Sequence, residues 1–225
     1  MIAVLTGDVV ASSRISVDRR REFIEILRAG LDAGIFSSTP ENPGVMETEI
    51  FRGDSFQLAI QKPELSLYAA LILMLRLRVL GSKAGLPIES RIGIGIGEVD
   101  FKDPSQALGT WSGSAFELAG RSLLEITLTS SRPRLGIGTP WGSRRNEGLN
   151  ASLGLLSFVV ERWTDKECEA LLGAFLYKNQ SQIGRELGIT QSAVSQRLQS
   201  GGWWASRDFE KEIRRQLTEQ TRSEP

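Results

Sequence analysis

The sequence predicts an α+β protein in two parts, and three observations predict it. Up to about residue 140, short apolar runs of β type alternate with stretches that place apolar residues at helical spacing. From about Asn146 onward only helical patterns remain. Clusters of Pro, Asn, Ser and Gly, as in "SSTPENPG" (37–44), mark the joins. In order, residues 2–7 read as a buried strand, and "DRRREFIEILRAGL" (18–31) as a helix burying Phe23, Ile24, Leu27 and Leu31. "METEIFRGDSFQLAI" (46–60) reads as a hairpin turning at Gly53-Asp54. A helix follows from Pro63 to about Gly81, with proline in its first turn. "IESRIGIGIGEVDF" (88–101) is a strand whose glycines leave one face bare, as where backbone or ligand approaches closely. "SGSAFELAGRSLLEI" (112–126) reads as a glycine loop opening a helix, and "RPRLGIGTPW" (132–141) as a last short strand. An antiparallel sheet crossed by helices, of ferredoxin-like type, accommodates this order.

Composition narrows the chemistry. Among 225 residues, 27 basic side chains balance 27 acidic ones, so no global field draws the chain to nucleic acid or membrane. Cys168 is the single cysteine and there is no histidine. Internal disulfides, cysteine zinc clusters, Ser-His-Asp and Cys-His catalysis, and histidine metal sites are therefore excluded. Any metal must use oxygen ligands, which suits Mg²⁺, Mn²⁺ or Ca²⁺. The longest apolar stretch, residues 65–81, is interrupted by Arg76 and Arg78 and reads as a buried helix rather than a membrane span. The initial apolar run lacks a basic segment and is too short for a signal peptide, so a cytoplasmic protein is expected.

Asp8 and Asp54 are the candidate metal ligands. Asp8 follows the first apolar run and Asp54 lies in the hairpin turn, on elements that neighbour each other in a ferredoxin-like sheet. Two carboxylates there can hold Mg²⁺ together with nucleotide phosphates; spacing alone favours a turn aspartate beside glycine at each site. Arg52 is either a phosphate ligand or an exposed turn arginine, and Glu98 either a third acidic ligand or a strand-end surface charge. Gly109 and Gly113 either cradle a phosphate at the next helix start or simply make the turn. Trp111, Trp141 and Trp163 read as packing residues.

Four segments carry a resemblance. "VLTGDVVASS" resembles the first strand of class III nucleotide cyclases, and "FRGDSF" their Gly-Asp hairpin and that of GGDEF diguanylate cyclases. "RIGIGIGEV" resembles the cyclase Arg-Ile-Gly-Ile strand, and "GSAFELAGR" the helix that ends in Ala-Ala-Arg. The SatD family of bacterial proteins is a closer likeness, through "GDVV", "GDSFQ", "GIGIGE" and "GSAF" to "AGR". The resemblance implies a nucleotide-cyclase-like domain in which Asp8 and Asp54 bind Mg²⁺ or Mn²⁺ with a nucleotide, and Arg121 meets a phosphate. Ile50 stands where cyclases carry a purine-reading lysine, and Glu117 where they carry the transition-state asparagine. These departures imply nucleotide binding or a different transfer reaction.

The second part begins with a connecting helix, "NASLGLLSFVVERW" (150–163), within a linker over 141–163. Thr164 and Glu167 form a capping box. "NQSQIGRELGITQSAVSQRL" (179–198) then reads as a helix-turn-helix, within a module over 164–203. Gly188 makes the turn, Thr190 caps the second helix, Gly184 sits at the crossing, and Ile183, Leu187, Val194 and Leu198 form the core. Thr190, Gln191, Ser192, Ser195, Gln196 and Arg197 are the candidate DNA-contacting residues. From Arg162 to Pro225 ten basic residues face nine acidic ones, so DNA binding is expected to need a homodimer. The bland alternative is a helix pair used for packing. A C-terminal helix with a frayed "TEQTRSEP" tail completes residues 204–225. Two functions follow: a regulator that senses a nucleotide and binds DNA, or a metal-dependent nucleotidyl-transfer enzyme whose helical module binds a partner.

Overall fold

The computed structural model describes residues 1–103, 105–129 and 133–223. The protein is α+β, built on a mixed five-stranded sheet. Strand β1 (Ile2–Val9) lies at its centre. Helix α1 (Arg20–Gly30) and the short α2 (Ala33–Ser37) lead to the hairpin β2 (Val45–Phe51) and β3 (Ser55–Ile60). Helix α3 (Ser66–Lys83) leads to β4 (Ser90–Gly97), and α4 (Ser114–Leu128) to β5 (Leu135–Gly138). The strand order is β2-β3-β1-β4-β5, with β1 antiparallel to both β3 and β4, and β5 parallel to β4. Helices α5 (Ser143–Val160), α6 (Asp165–Phe175), α7 (Gln180–Leu187), α8 (Gln191–Ser200) and α9 (Trp203–Ser223) complete the chain.

Pleat alternation sends each strand's residues to different layers. Ala3 and Leu5 of β1, Phe56, Leu58 and Ile60 of β3, and Ile92, Ile94 and Ile96 of β4 enter the main core with α1 and α3. Helix α3 is apolar nearly all round because α6 and α9 cover what the sheet does not. By length and composition it would pass for a membrane span, yet most of it is buried inside the fold.

The bare glycine face is filled by protein. A Cβ at Gly93 would lie 2.5 Å from the Ala119 carbonyl oxygen, and one at Gly95 2.1 Å from that of Ala115. Gly136 and Gly138 of β5 stand beside Gly93 and Gly95 in register. The glycines thus form a floor on which the α4 backbone rests directly.

Helix α5 begins at Ser143, earlier than the sequence suggested, and it is packed on the sheet rather than strung between domains. The Asn150 amide donates to the Ile137 carbonyl at 2.7 Å and accepts its N–H at 2.8 Å. Asn146 does the same for Thr139, and the Ser157 hydroxyl accepts the N–H groups of Arg134 and Leu135. An exposed strand edge invites pairing with another chain; here one helix face closes it. The C-terminal segment expected to fray is helical through Ser223.

Candidate functional site

The first strand runs on through Asp8 to Val9, so the carboxylate projects from the end of a central strand. Asp8 stands opposite Ser55 on one side and Arg91 on the other. The Arg91 guanidinium donates to both Asp8 oxygens, each at 2.9 Å, and both side chains are largely shielded from solvent. Arg91 opens the strand "RIGIGIGEV", and a cation heading so apolar a run was the available signal for it. Asp54 lies one step further along, its carbonyl accepting the Val9 N–H at 3.2 Å. Its carboxylate accepts from the hydroxyl of buried Ser12, just past β1. The two aspartates therefore share one end of adjacent strands, but each carboxylate has its own partner.

Backbone strain gathers here. Ala11 (φ 57°) and Arg52 (φ 53°) occupy the left-handed region without being glycine. Such residues cost of order 1–3 kcal/mol and cluster where function over-determines the geometry. Arg52 itself is exposed. Arg20, at the start of α1, donates to the Ser12 carbonyl at 3.3 Å and lies against Gly53. It is a cation beside the aspartate turn that sequence reading passed over, being one of three consecutive arginines.

The remaining candidates lie elsewhere. Six residue steps along β1 separate Asp8 from Ile2, the partner of Gly97, a distance of about 20 Å along the strand. Gly113 is at that far end, where a Cβ would meet the Glu98 carbonyl oxygen at 2.3 Å, so its role is close backbone packing. The Gly109 N–H donates to the Glu49 carboxylate rather than facing an anion. Glu98 is exposed and pairs with the N-terminal ammonium at 3.3 Å, at the opposite end of the sheet from Asp8. Arg121 is exposed and lines a groove between α4 and α5, with Glu125 and Glu147. Of the phosphate candidates, Arg52 alone lies beside an aspartate, two positions before Asp54 in the turn.

Asp8, Asp54 and Ser12 offer only oxygen donors, the type a hard divalent cation takes, but each carboxylate is engaged separately. Among the described residues no group of three Asp, Glu, Cys or His side chains converges. A cation would have to draw the Asp8 carboxylate away from Arg91 and complete its shell with phosphate oxygens or water.

In the C-terminal part, local chemistry behaves as the sequence indicated. Thr164 accepts the Glu167 N–H while Glu167 takes the Thr164 N–H at 2.7 Å. Gly188 adopts φ 65° at the end of α7, and a Cβ on Gly184 would meet the Ile189 carbonyl oxygen at 2.8 Å. Thr190 caps α8, accepting the Ala193 N–H at 3.2 Å. Gln191, Ser192 and Gln196 are exposed and Ser195 partly so; the Gln191 amide also donates to Gln180 of α7. Arg197 departs from expectation. It turns inward, pairing with Glu169 at 3.2 Å and reaching the Lys166 carbonyl. Its position places it over α6, because the wheel of α8 sets residue 197 one step from the buried Val194 and Leu198. Gln199, which extends the outer stripe, was not among the candidates.

No protein-family model and no curated protein matches the chain. The class of protein therefore rests on fold and site: an α+β sheet protein with an aspartate pair at one sheet end and C-terminal helices of which α6 and α9 pack on α3.

Proposed function

We propose that this is a DNA-binding regulator whose sheet domain senses a nucleotide with Mg²⁺ or Mn²⁺. The observation that carries the reading is the outer face of α8. Gln191, Ser192, Ser195, Gln196 and Gln199 make a continuous polar stripe, and α8 contains no acidic residue. Glutamine amides and serine hydroxyls suit base edges and phosphates, and an acid-free surface avoids repelling the backbone. The tight turn between α7 and α8 supports a helix-turn-helix, with Thr190 at the recognition helix's start. Balanced charge in this region favours a homodimer that reads two half-sites.

For the sheet domain, the order β2-β3-β1-β4 with a helical connection before β2 and before β4 supports a ferredoxin-like, cyclase-like fold. The SatD-like and cyclase-like motifs belong to the same proposal, as does a cytoplasmic location. A second reading, metal-dependent nucleotidyl transfer, draws on the strained turns around Asp8 and Asp54; the place of Arg121 in the α4–α5 groove and of Gly113 at the far end of the sheet weighs against it within one chain.

Selection of genomic fragments with the purified protein, with and without nucleotides, tests the regulator. Enrichment of a two-fold symmetric sequence is expected, and recovery of no enriched sequence at low salt overturns it. Incubation with labelled nucleoside triphosphates tests the second reading, since only an enzyme yields a cyclic or oligonucleotide product.

A further inference from the structure

A cavity of about 200 Å³ lies where α3, the end of α6 and α9 meet, remote from both sites above. Its walls are aromatic. Tyr68 and Phe175 are almost fully buried, with ring centroids 6.3 Å apart. Trp203 meets Phe175 edge-on at 4.8 Å, and Tyr177 lies 6.5 Å from Tyr68 with half its surface exposed. Aromatic walls of this kind, with one ring half exposed at the edge, suit contact with an aromatic ligand.

Tyr177 is held there at the expense of backbone comfort. Helix α6 ends with the Lys178 N–H bonded to the Gly173 carbonyl, a closure that ordinarily places glycine at position 177. Tyrosine occupies it instead at φ 61°. Its phenol donates to Glu41, which fixes the ring over the cavity mouth. A strained aromatic at a glycine position points to a use for the ring itself.

The charges at the cavity select the sign of a ligand. Glu210 lines it, but both its oxygens are taken by Arg214, at 3.0 and 2.9 Å. Arg214 also pairs with Glu41. Two cations line it: Arg207 pairs with exposed Asp208 and stacks on Trp204 at 4.6 Å, while among the described residues Lys211 has no carboxylate within ion-pair distance. An ammonium ligand would meet Arg207 and Lys211, and Glu210 already holds Arg214.

We infer that this cavity binds a small planar aromatic acid, its ring between Tyr177 and Trp203 and its carboxylate at Lys211 and Arg207. The site joins α3 of the sheet domain to the segment that enters α7, so it would serve as a sensor distinct from the aspartate pair. It stands whether or not the chain binds DNA.

Titration calorimetry of the full chain with indole-3-carboxylate, indole and tryptamine tests this. Indole-3-carboxylate is expected to bind with one site per chain and most tightly, with tryptamine weakest. Tyr177→Gly relieves the left-handed strain, so it should fold, verified by circular dichroism, yet bind about tenfold more weakly, the equivalent of one lost ring contact of roughly 1.4 kcal/mol. Lys211→Gln should reduce the preference for the carboxylate over indole while leaving indole affinity unchanged. Absence of saturable binding by all three compounds, tighter binding of tryptamine, or unchanged affinity in Tyr177→Gly would overturn the assignment.

Discussion

Arg91 and Asp8 face each other across β4 and β1, joined by two charge-assisted hydrogen bonds of 2.9 Å at the end of the central strand pair. This pair answers why a carboxylate ends a buried strand: it is neutralised by a neighbour 83 residues away. Hydrogen bonds to charged groups contribute about 1.5–3 kcal/mol, and removing one partner leaves the other uncompensated. Asp8→Asn should therefore lower stability by about 1–3 kcal/mol in urea unfolding. The same pair competes with any cation. Arg91→Gln should strengthen Mn²⁺-nucleotide stabilisation in thermal-shift measurements, whereas Asp8→Asn and Asp54→Asn abolish it. Equal shifts in all four proteins would remove the aspartates from the metal proposal.

The glycine floor makes a sharper stability prediction. At Gly95 an added methyl meets backbone atoms of Ala115 and Ala119 at 2.1 and 2.3 Å, and neither can rotate away. Helix α4 must lift from the sheet, so Gly95→Ala should cost about 3 kcal/mol or more. Gly120, on the outer side of the same helix, has nothing within 4 Å of its would-be Cβ. Gly120→Ala should stabilise slightly, by up to about 1 kcal/mol.

Loss of the Asn150 amide exposes the outer edge of β5. In Asn150→Ala both the N–H and the carbonyl of Ile137 lose their partner, at a cost of about 2–4 kcal/mol if water does not replace it. The freed edge should also promote concentration-dependent association. Light scattering alongside unfolding curves checks both effects; a fully stable, monodisperse variant would show that α5 is not what protects the edge.

Arg197 and Gln196 are adjacent in sequence but should behave oppositely. Arg197→Ala removes the tie to Glu169, so it should lower the melting temperature without changing the salt dependence of DNA binding. Gln196→Ala should leave stability unchanged and lower discrimination between sequences by about 1–3 kcal/mol, if Gln196 reads a base. A flattened salt slope in Arg197→Ala would instead place that side chain on a phosphate.

Glu210 gives a pH signature. Burial raises its pKa above the ordinary value, opposed by the attraction of Arg214. A folded state with the higher pKa binds more protons than the unfolded chain across the interval between the two values. Glu210's contribution is therefore most favourable below the ordinary glutamate range and declines as pH rises through its raised folded value. The stability advantage of the wild type over Glu210→Gln should shrink with rising pH across that interval. Glu41 acts in the opposite sense: burial pushes its pKa up, but Tyr177 and Arg214 outweigh it and hold the carboxyl below its usual value. A difference between wild type and Glu210→Gln that grows with pH would contradict the assignment to Glu210.

Much of the local architecture was legible from the residues. The hairpin around Gly53, the proline-led helix before residue 83, the Thr164–Glu167 box and the α7–α8 turn all lie near where the sequence places them. Each is specified by partners within a few positions along the chain, so the pattern and its cause are both local. The start of α5 was missed because "SRRNEGLN" is polar and glycine-bearing; its helix is secured by Asn146 and Asn150 meeting β5, not by an apolar stripe.

By itself, then, the sequence determined most of the strands and longer helices, the bare face of β4, and the aspartates on neighbouring elements, but not α2 or the first turns of α5. Of the outer face of α8 it marked Gln191, Ser192, Ser195 and Gln196, but not Gln199, and it placed Arg197 there wrongly. Tertiary structure alone decided who fills and who pairs: α4 rather than a ligand on the glycines, Arg91 on Asp8, Glu169 on Arg197, and four aromatic rings around one cavity. Those outcomes depend on strand register and helix docking, which join residues tens of positions apart. The energies that set them are shared among many side chains and written in no single motif.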